Sequence, residues 1–157
     1  IVSTQEIVSL ARRQIGALSD RELWLIGIAL YWAEGSKEKE QASRNARVIF
    51  TNSDKYMAKF FTMWLTEQCG IAKTNIQASI YIHENSKKRI KEVLAHWEKW
   101  TGLSSIDPSR VYYKRHNPKT NRHSVGQSYY GNVRIEVAAS SILSRKISGW
   151  IEGVWQA

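Results

Sequence analysis

Cysteine occurs once in this chain, at Cys69, and proline twice, at Pro108 and Pro118. A lone thiol cannot close an intramolecular disulfide, and a cysteine zinc site needs further ligands. Cys69 therefore reads as a small buried hydrophobe on a helix, and the scarcity of thiols fits a cytoplasmic setting. No stretch approaches 18 apolar residues, which excludes a membrane-spanning helix. Ile1 to Leu10 lack the charged and long apolar regions of a signal peptide, and the missing first methionine suits a piece of a longer protein. Acids are in short supply as well. Asp and Glu number 14 against 23 Lys and Arg, a formal charge of +9 and a pI near 9.8. Such an excess steers polyanions in from a distance, so nucleic acid is a natural partner class.

What is present is enough for a core. Apolar residues make up 43% of the 157 residues, with seven Trp and seven Tyr, too many for a disordered chain. No repeat or low-complexity linker divides it, so we read one domain over residues 19–157 with a helical appendage at 1–18. The appendage places Ile7, Leu10, Ala11 and Ile15 on one helical face and stops at Gly16. Ser19 and Glu22 form a capping box for a second helix that runs to Glu34 and ends at Gly35. Ser36 to Ala46 has room for a strand and a turn, and Arg47 to Thr51 reads as a strand.

Ser53 is the expected cap of a third helix with an apolar stripe of Met57, Phe60, Phe61, Trp64 and Leu65, ending at Gly70. Ile76, Ala78, Ile80 and Ile82 alternate as in a strand. Ile90, Val93, Leu94 and Trp97 mark a fourth helix. Arg110 to Lys114 and Gly131 to Val137 are strands. A last helix from Ser140 is expected to bury Ile142, Leu143, Ile147, Trp150, Ile151 and Val154. Trp64, Trp97 and Trp150 sit at core spacings. This order predicts an α+β fold, an antiparallel sheet with helices on one face.

The run Leu25-Ile26-Gly27-Ile28-Ala29-Leu30-Tyr31-Trp32-Ala33-Glu34-Gly35 resembles the helix of the LAGLIDADG homing endonucleases. With Gly35 on that family's final glycine, Glu34 takes the acidic position and Ala29 and Ala33 fall on small-residue positions. The sequence departs at Gly27 and at Trp32. A polar hairpin-sized stretch, a strand and a long helix follow in the family's order, and Gly131 to Val137 runs straight into a helix as the closing strand would. Over Ser19 to Val154 the chain is similar to bacterial stand-alone members with one motif; Ile76 to Gly102 reads as an elaboration.

The resemblance implies a saddle-shaped sheet over duplex DNA and a homodimer packed through Ile26, Ala29, Leu30 and Ala33. It implies Glu34 of each copy as catalytic and metal-binding residue for Mg²⁺ or Mn²⁺. The physical reasoning agrees. Small residues four apart share a face and let two helices approach closely, and a carboxylate at a helix C-terminus needs a counter-charge. Mg²⁺ takes few protein carboxylates and completes its shell with water and phosphate.

Basic residues gather where DNA contacts are expected. Lys37, Lys39, Arg44 and Arg47 surround the first hairpin. Lys114, Arg115, Lys119 and Arg122 crowd one loop, with Gln127, Tyr129 and Tyr130 after it. His116 and His123 lack the further ligands of a zinc site. Ser86 to Lys91 is a further basic cluster, either a phosphate site at a helix start or a solvated turn. The reading is a site-specific, metal-dependent DNA endonuclease. The alternatives are a non-catalytic transcription regulator or an RNA-binding maturase on the same fold.

Overall fold

A computed structural model describes residues 2–36, 46–115 and 128–157. In chain order these contain α1 (Thr4–Ile15), α2 (Asp20–Glu34), β1 (Ile49–Asn52), α3 (Lys55–Met63), β2 (Ile76–His83), α4 (Ile90–Thr101), β3 (Val111–Lys114), β4 (Asn132–Val137) and α5 (Ser141–Gln156). The fold is α+β, an open sheet of order β1-β4-β2-β3 with helices. None of the described helices is long and apolar enough to cross a membrane.

Local chemistry explains the helix boundaries. At the start of α2 the Ser19 hydroxyl accepts from the Glu22 N–H, and the Glu22 carboxylate accepts from the Ser19 N–H at 2.7 Å. Ser3 and Glu6 repeat the device at α1. Both carboxylates consequently titrate below their ordinary range. The cap of α3 is Asp54, not Ser53. Its carboxylate accepts from the N–H groups of Tyr56 and Met57, and an ionised acceptor next to the positive end of a helix dipole is the stronger cap.

The sheet corrects the antiparallel expectation. β4 pairs antiparallel with both β1 and β2, but β2 and β3 run parallel. The cause is the connection. After β2 the chain crosses over through α4 and re-enters the sheet in the same direction, as a helical crossover requires. β3 and β4, neighbours in sequence, do not pair. β4 instead lies between β1 and β2, where its alternating Val133, Ile135 and Val137 are fully used. Ile76 to Gly102 is accordingly no elaboration: β2 is an inner strand, and Val93 and Trp97 of α4 are fully buried.

One side of the sheet builds the core. Val48, Phe50, Ala78, Ile80, Ile82, Val133 and Ile135 cluster with Ile28 and Tyr31 of α2, Ala58 and Phe61 of α3, Trp97 of α4, and Leu143 and Ile147 of α5. Trp64 and Leu65, in the π-helical turn that prolongs α3, complete it. Phe61 stacks on Phe50 at 4.4 Å and on Trp64 at 5.7 Å. The Trp64 indole N–H donates to the Trp24 carbonyl, and that of Trp97 to the Tyr130 carbonyl. The expected stripes need adjustment at their margins. Met57, Ile142 and Val154 are exposed, because the buried arc of α3 runs through Ala58 and that of α5 through Leu143 and Ile147. Cys69 is half-buried, and burial pushes its thiol up to about 12. It therefore stays protonated and unreactive at neutral pH.

No residue of α1 is buried. Its apolar side chains Ile7, Leu10 and Ile15 are exposed.

Candidate nucleic-acid interface

Because side chains alternate along a strand, the residues opposite the core form a second face. β1 contributes Thr51, with Arg47 just before the strand. β4 contributes Asn132, Arg134 and Glu136, β2 contributes Gln77 and Tyr81, and β3 contributes Tyr112 and Lys114. None of them belongs to the core cluster. Ile49 and Ser79 are the buried members of this face. Four strands at about 4.8 Å spacing make a surface about 14 Å across, comparable to the ~12 Å major groove of B-DNA.

The chemistry of this face is basic, amide and aromatic. The Arg47 guanidinium meets the Glu136 carboxylate, and Arg134 approaches its other oxygen at 3.7 Å. Two guanidiniums thus share one acid, leaving a net positive patch. On the β2–β3 side Tyr81 and Tyr112 stack at 4.9 Å with planes 19° apart, and the Lys114 ammonium lies 5.9 Å from the Tyr81 ring. Tyr112 is half exposed.

The end of α2 meets one end of this sheet. The Gly35 N–H donates to the Tyr31 carbonyl, the chain extends, and the Ser36 N–H donates to the Ile49 carbonyl. Gly35 bridges Phe50, so this segment lies on the edge of β1 away from β4. Gly35 is required by close approach, since a Cβ there would lie 2.5 Å from the Tyr31 carbonyl oxygen and 2.6 Å from its ring. The arrangement leaves Glu34 exposed and places its carboxylate 3.3 Å from the Asn52 side-chain amide, which donates to it. Registers locate Glu34 in the sheet. Asn52 pairs with Val133, Asn132 with Tyr81, Tyr81 with Tyr112, and His83 with Lys114. Glu34 and the Lys114-Arg115 end of β3 therefore stand at the same end.

Of the expected dimer residues, Ile26, Ala29 and Ala33 are exposed along one stripe of α2, and Leu30 is half-buried against the core. Trp32 beside them is 39% exposed. An apolar stripe left in water, with two alanines at its centre, is a surface another helix can approach closely.

Among the expected DNA contacts, Arg47, Lys114 and Arg115 are exposed. Lys37, Lys39, Arg44, Lys119, Arg122 and Gln127 lie outside the described residues, as do His116 and His123. The basic run before α4 is engaged within the fold. Arg89 pairs with Glu92 at 2.8 Å, which holds that carboxyl below its ordinary range, and Lys87 lies 4.9 Å from the Tyr113 ring. Sequence reasoning missed Gln77, Tyr81 and Arg134. The alternation of Val133, Ile135 and Val137 was the available signal, since it sends Arg134 to the opposite face.

Among the described residues no group of three His, Cys, Asp or Glu could hold a metal ion. A closed all-protein site is therefore not formed by them. One exposed carboxylate with a side-chain amide beside it could hold at most part of a hydrated Mg²⁺ shell, whose remaining ligands would come from water and phosphate oxygens. No family model matches the chain, and comparison with curated proteins and with solved structures finds no relative.

Proposed function

We propose that this chain is a LAGLIDADG-type DNA endonuclease that works as a homodimer, with duplex DNA across the face of its sheet opposite the core. The observation that supports this best is the composition of that face: Arg47 and Gln77 stand at one end, Arg134 midway, and Asn132, the stacked Tyr81 and Tyr112, and Lys114 toward the end at which Glu34 stands. Lys114, Arg115, Arg134 and Arg47 bind phosphates and set the register, and Gln77 and Asn132 offer hydrogen bonds to base edges. The exposed stripe of Ile26, Ala29 and Ala33 packs on its symmetry mate and brings two Glu34 carboxylates together. Glu34, oriented by Asn52, is the residue that would hold Mg²⁺ or Mn²⁺, which supplies an activated water and stabilises the leaving oxygen. A non-catalytic DNA-binding regulator is the second reading, favoured by the Asn52 amide, which already engages a Glu34 oxygen within the chain.

The binding face is tested by salt. We expect Arg134→Ala to weaken binding on all duplex sequences alike and to reduce the slope of log K against log salt by about one unit. Unchanged affinity and slope, measured by fluorescence anisotropy, would remove Arg134 from the interface.

Assembly is tested at Ala29. Because Ala29 is exposed, Ala29→Leu should leave the stability of one chain within about 0.5 kcal/mol of native. Overpacking at the helix pair should weaken dimerisation by about 1–3 kcal/mol. Sedimentation equilibrium reads this directly, and a native protein that stays monomeric both free and on DNA contradicts the assembly.

A further inference from the structure

A second aromatic and basic surface lies on the helical side, where α3 begins. Tyr56 is 62% exposed and meets Trp100 of α4 edge to face at 5.0 Å. The Lys55 ammonium lies 5.1 Å from the Tyr56 ring and 4.6 Å from that of Trp100, and Lys59 lies 6.0 Å from Trp100. One turn before Trp100, His96 stacks flat on Tyr130 at 3.7 Å with planes 4° apart. Asp54, Lys55, Tyr56, His96 and Tyr130 line a groove of about 320 Å³, at the small end of the range for small-molecule sites, and Trp100 and Lys59 stand beside it. Burial and the nearby Lys55 charge lower the His96 pKa, which favours its neutral ring.

Tyr56 and Trp100 take no part in the core cluster and are absent from the buried set. Among the described residues no carboxylate forms an ion pair with Lys55 or Lys59, and the nearest acid in sequence, Asp54, is occupied in capping α3. One exposed ring, Tyr56, beside the half-buried Trp100, with ammoniums alongside that meet no carboxylate among the described residues, suits a ligand that is itself flat and anionic. Base pairs inside a duplex are already stacked on one another and offer no free face, whereas an unpaired nucleotide does. The position fits as well, since α3 begins three residues after Asn52, whose amide contacts Glu34.

We propose that this groove takes an unpaired nucleotide of the bound nucleic acid, its base stacked on Tyr56 and its phosphates on Lys55 and Lys59. The proposal rests on the nucleic-acid reading above but uses a different surface from the duplex face. The test compares a blunt 20-base-pair duplex with the same duplex carrying a six-thymidine overhang, by equilibrium anisotropy. The native protein should bind the overhang duplex about tenfold more tightly than the blunt one. Tyr56→Ala should abolish that gain, with blunt-duplex affinity and thermal midpoint unchanged, and Tyr56→Phe should keep it. The double substitution Lys55→Gln with Lys59→Gln should reduce the gain independently of Tyr56. Equal native affinity for the two duplexes, or a gain that survives Tyr56→Ala, overturns the groove and leaves the duplex face standing. Binding to neither duplex overturns both.

Discussion

Glu34→Gln should lower metal-dependent strand cleavage by at least about a hundredfold while duplex affinity stays within about twofold of native. The substitution keeps the shape of the side chain and removes its charge. Glu34 is exposed and terminal in α2, and a glutamine oxygen can still accept from the Asn52 amide, so the fold has no reason to change. The proposed cleavage site, by contrast, would lose both of its carboxylates at once, one from each copy. Two acids brought together at helix C-termini repel each other in the absence of a cation. The glutamine variant should therefore dimerise at least as well as native without metal. Incubation of native and variant protein with a plasmid library and Mg²⁺ or Mn²⁺ reads the cleavage, and anisotropy reads the binding. Tight, specific binding by the native protein with no cleavage under either metal would favour the regulator instead.

Gly27→Ala should destabilise the protein by about 2–4 kcal/mol, although alanine is the better helix former by about 1 kcal/mol. The sign is decided by what the added methyl meets. A Cβ on Gly27 would lie 2.0 Å from Cδ1 and 2.1 Å from Nε1 of Trp64. That indole cannot step aside cheaply. It is fully buried, donates to the Trp24 carbonyl at 3.1 Å, stacks on Phe61 and meets Trp150 edge-on at 6.4 Å. Displacing it opens packing on three sides and breaks a part-buried hydrogen bond, worth about 1 kcal/mol. Gly149→Ala in α5 is the internal control, because nothing lies within 4 Å of its Cβ position; it should stabilise by about 0.5–1 kcal/mol. Urea midpoints separate the two. A Gly27→Ala variant as stable as Gly149→Ala would mean that α2 does not approach Trp64 as described.

Gly27 also illustrates what the sequence withholds. Read against the motif it was a departure; in the fold it is the contact that lets α2 lie on Trp64. Signals that act within a few residues were legible. The Ser19–Glu22 box, the helical stripe ending in Trp64 and Leu65, and the alternation of Val133, Ile135 and Val137 each follow from periodicity or a local hydrogen bond. Pairing between distant strands was not. β3 follows β2 through a helix and precedes β4 through a loop, and nothing local determines that it pairs parallel with the former rather than as a hairpin with the latter. The candidate face depended on that choice. Tyr81 and Tyr112 stack because the parallel register sets them side by side, and Arg134 joins Arg47 because β4 lies next to β1. The basic content was visible in the sequence, but its gathering onto one face was not. The aromatic cluster of Tyr56 and Trp100 was equally hidden, since its members lie 44 residues apart on two helices.

Photo-crosslinking of a blunt duplex carrying bromodeoxyuridine, followed by peptide mapping, tests the central placement most directly. Adducts are expected on the outward strand residues Tyr81 and Tyr112, with none at Tyr56 or Trp100 while the duplex lacks an overhang. Adducts confined to the helical side, with β2 and β3 unmodified, would contradict it.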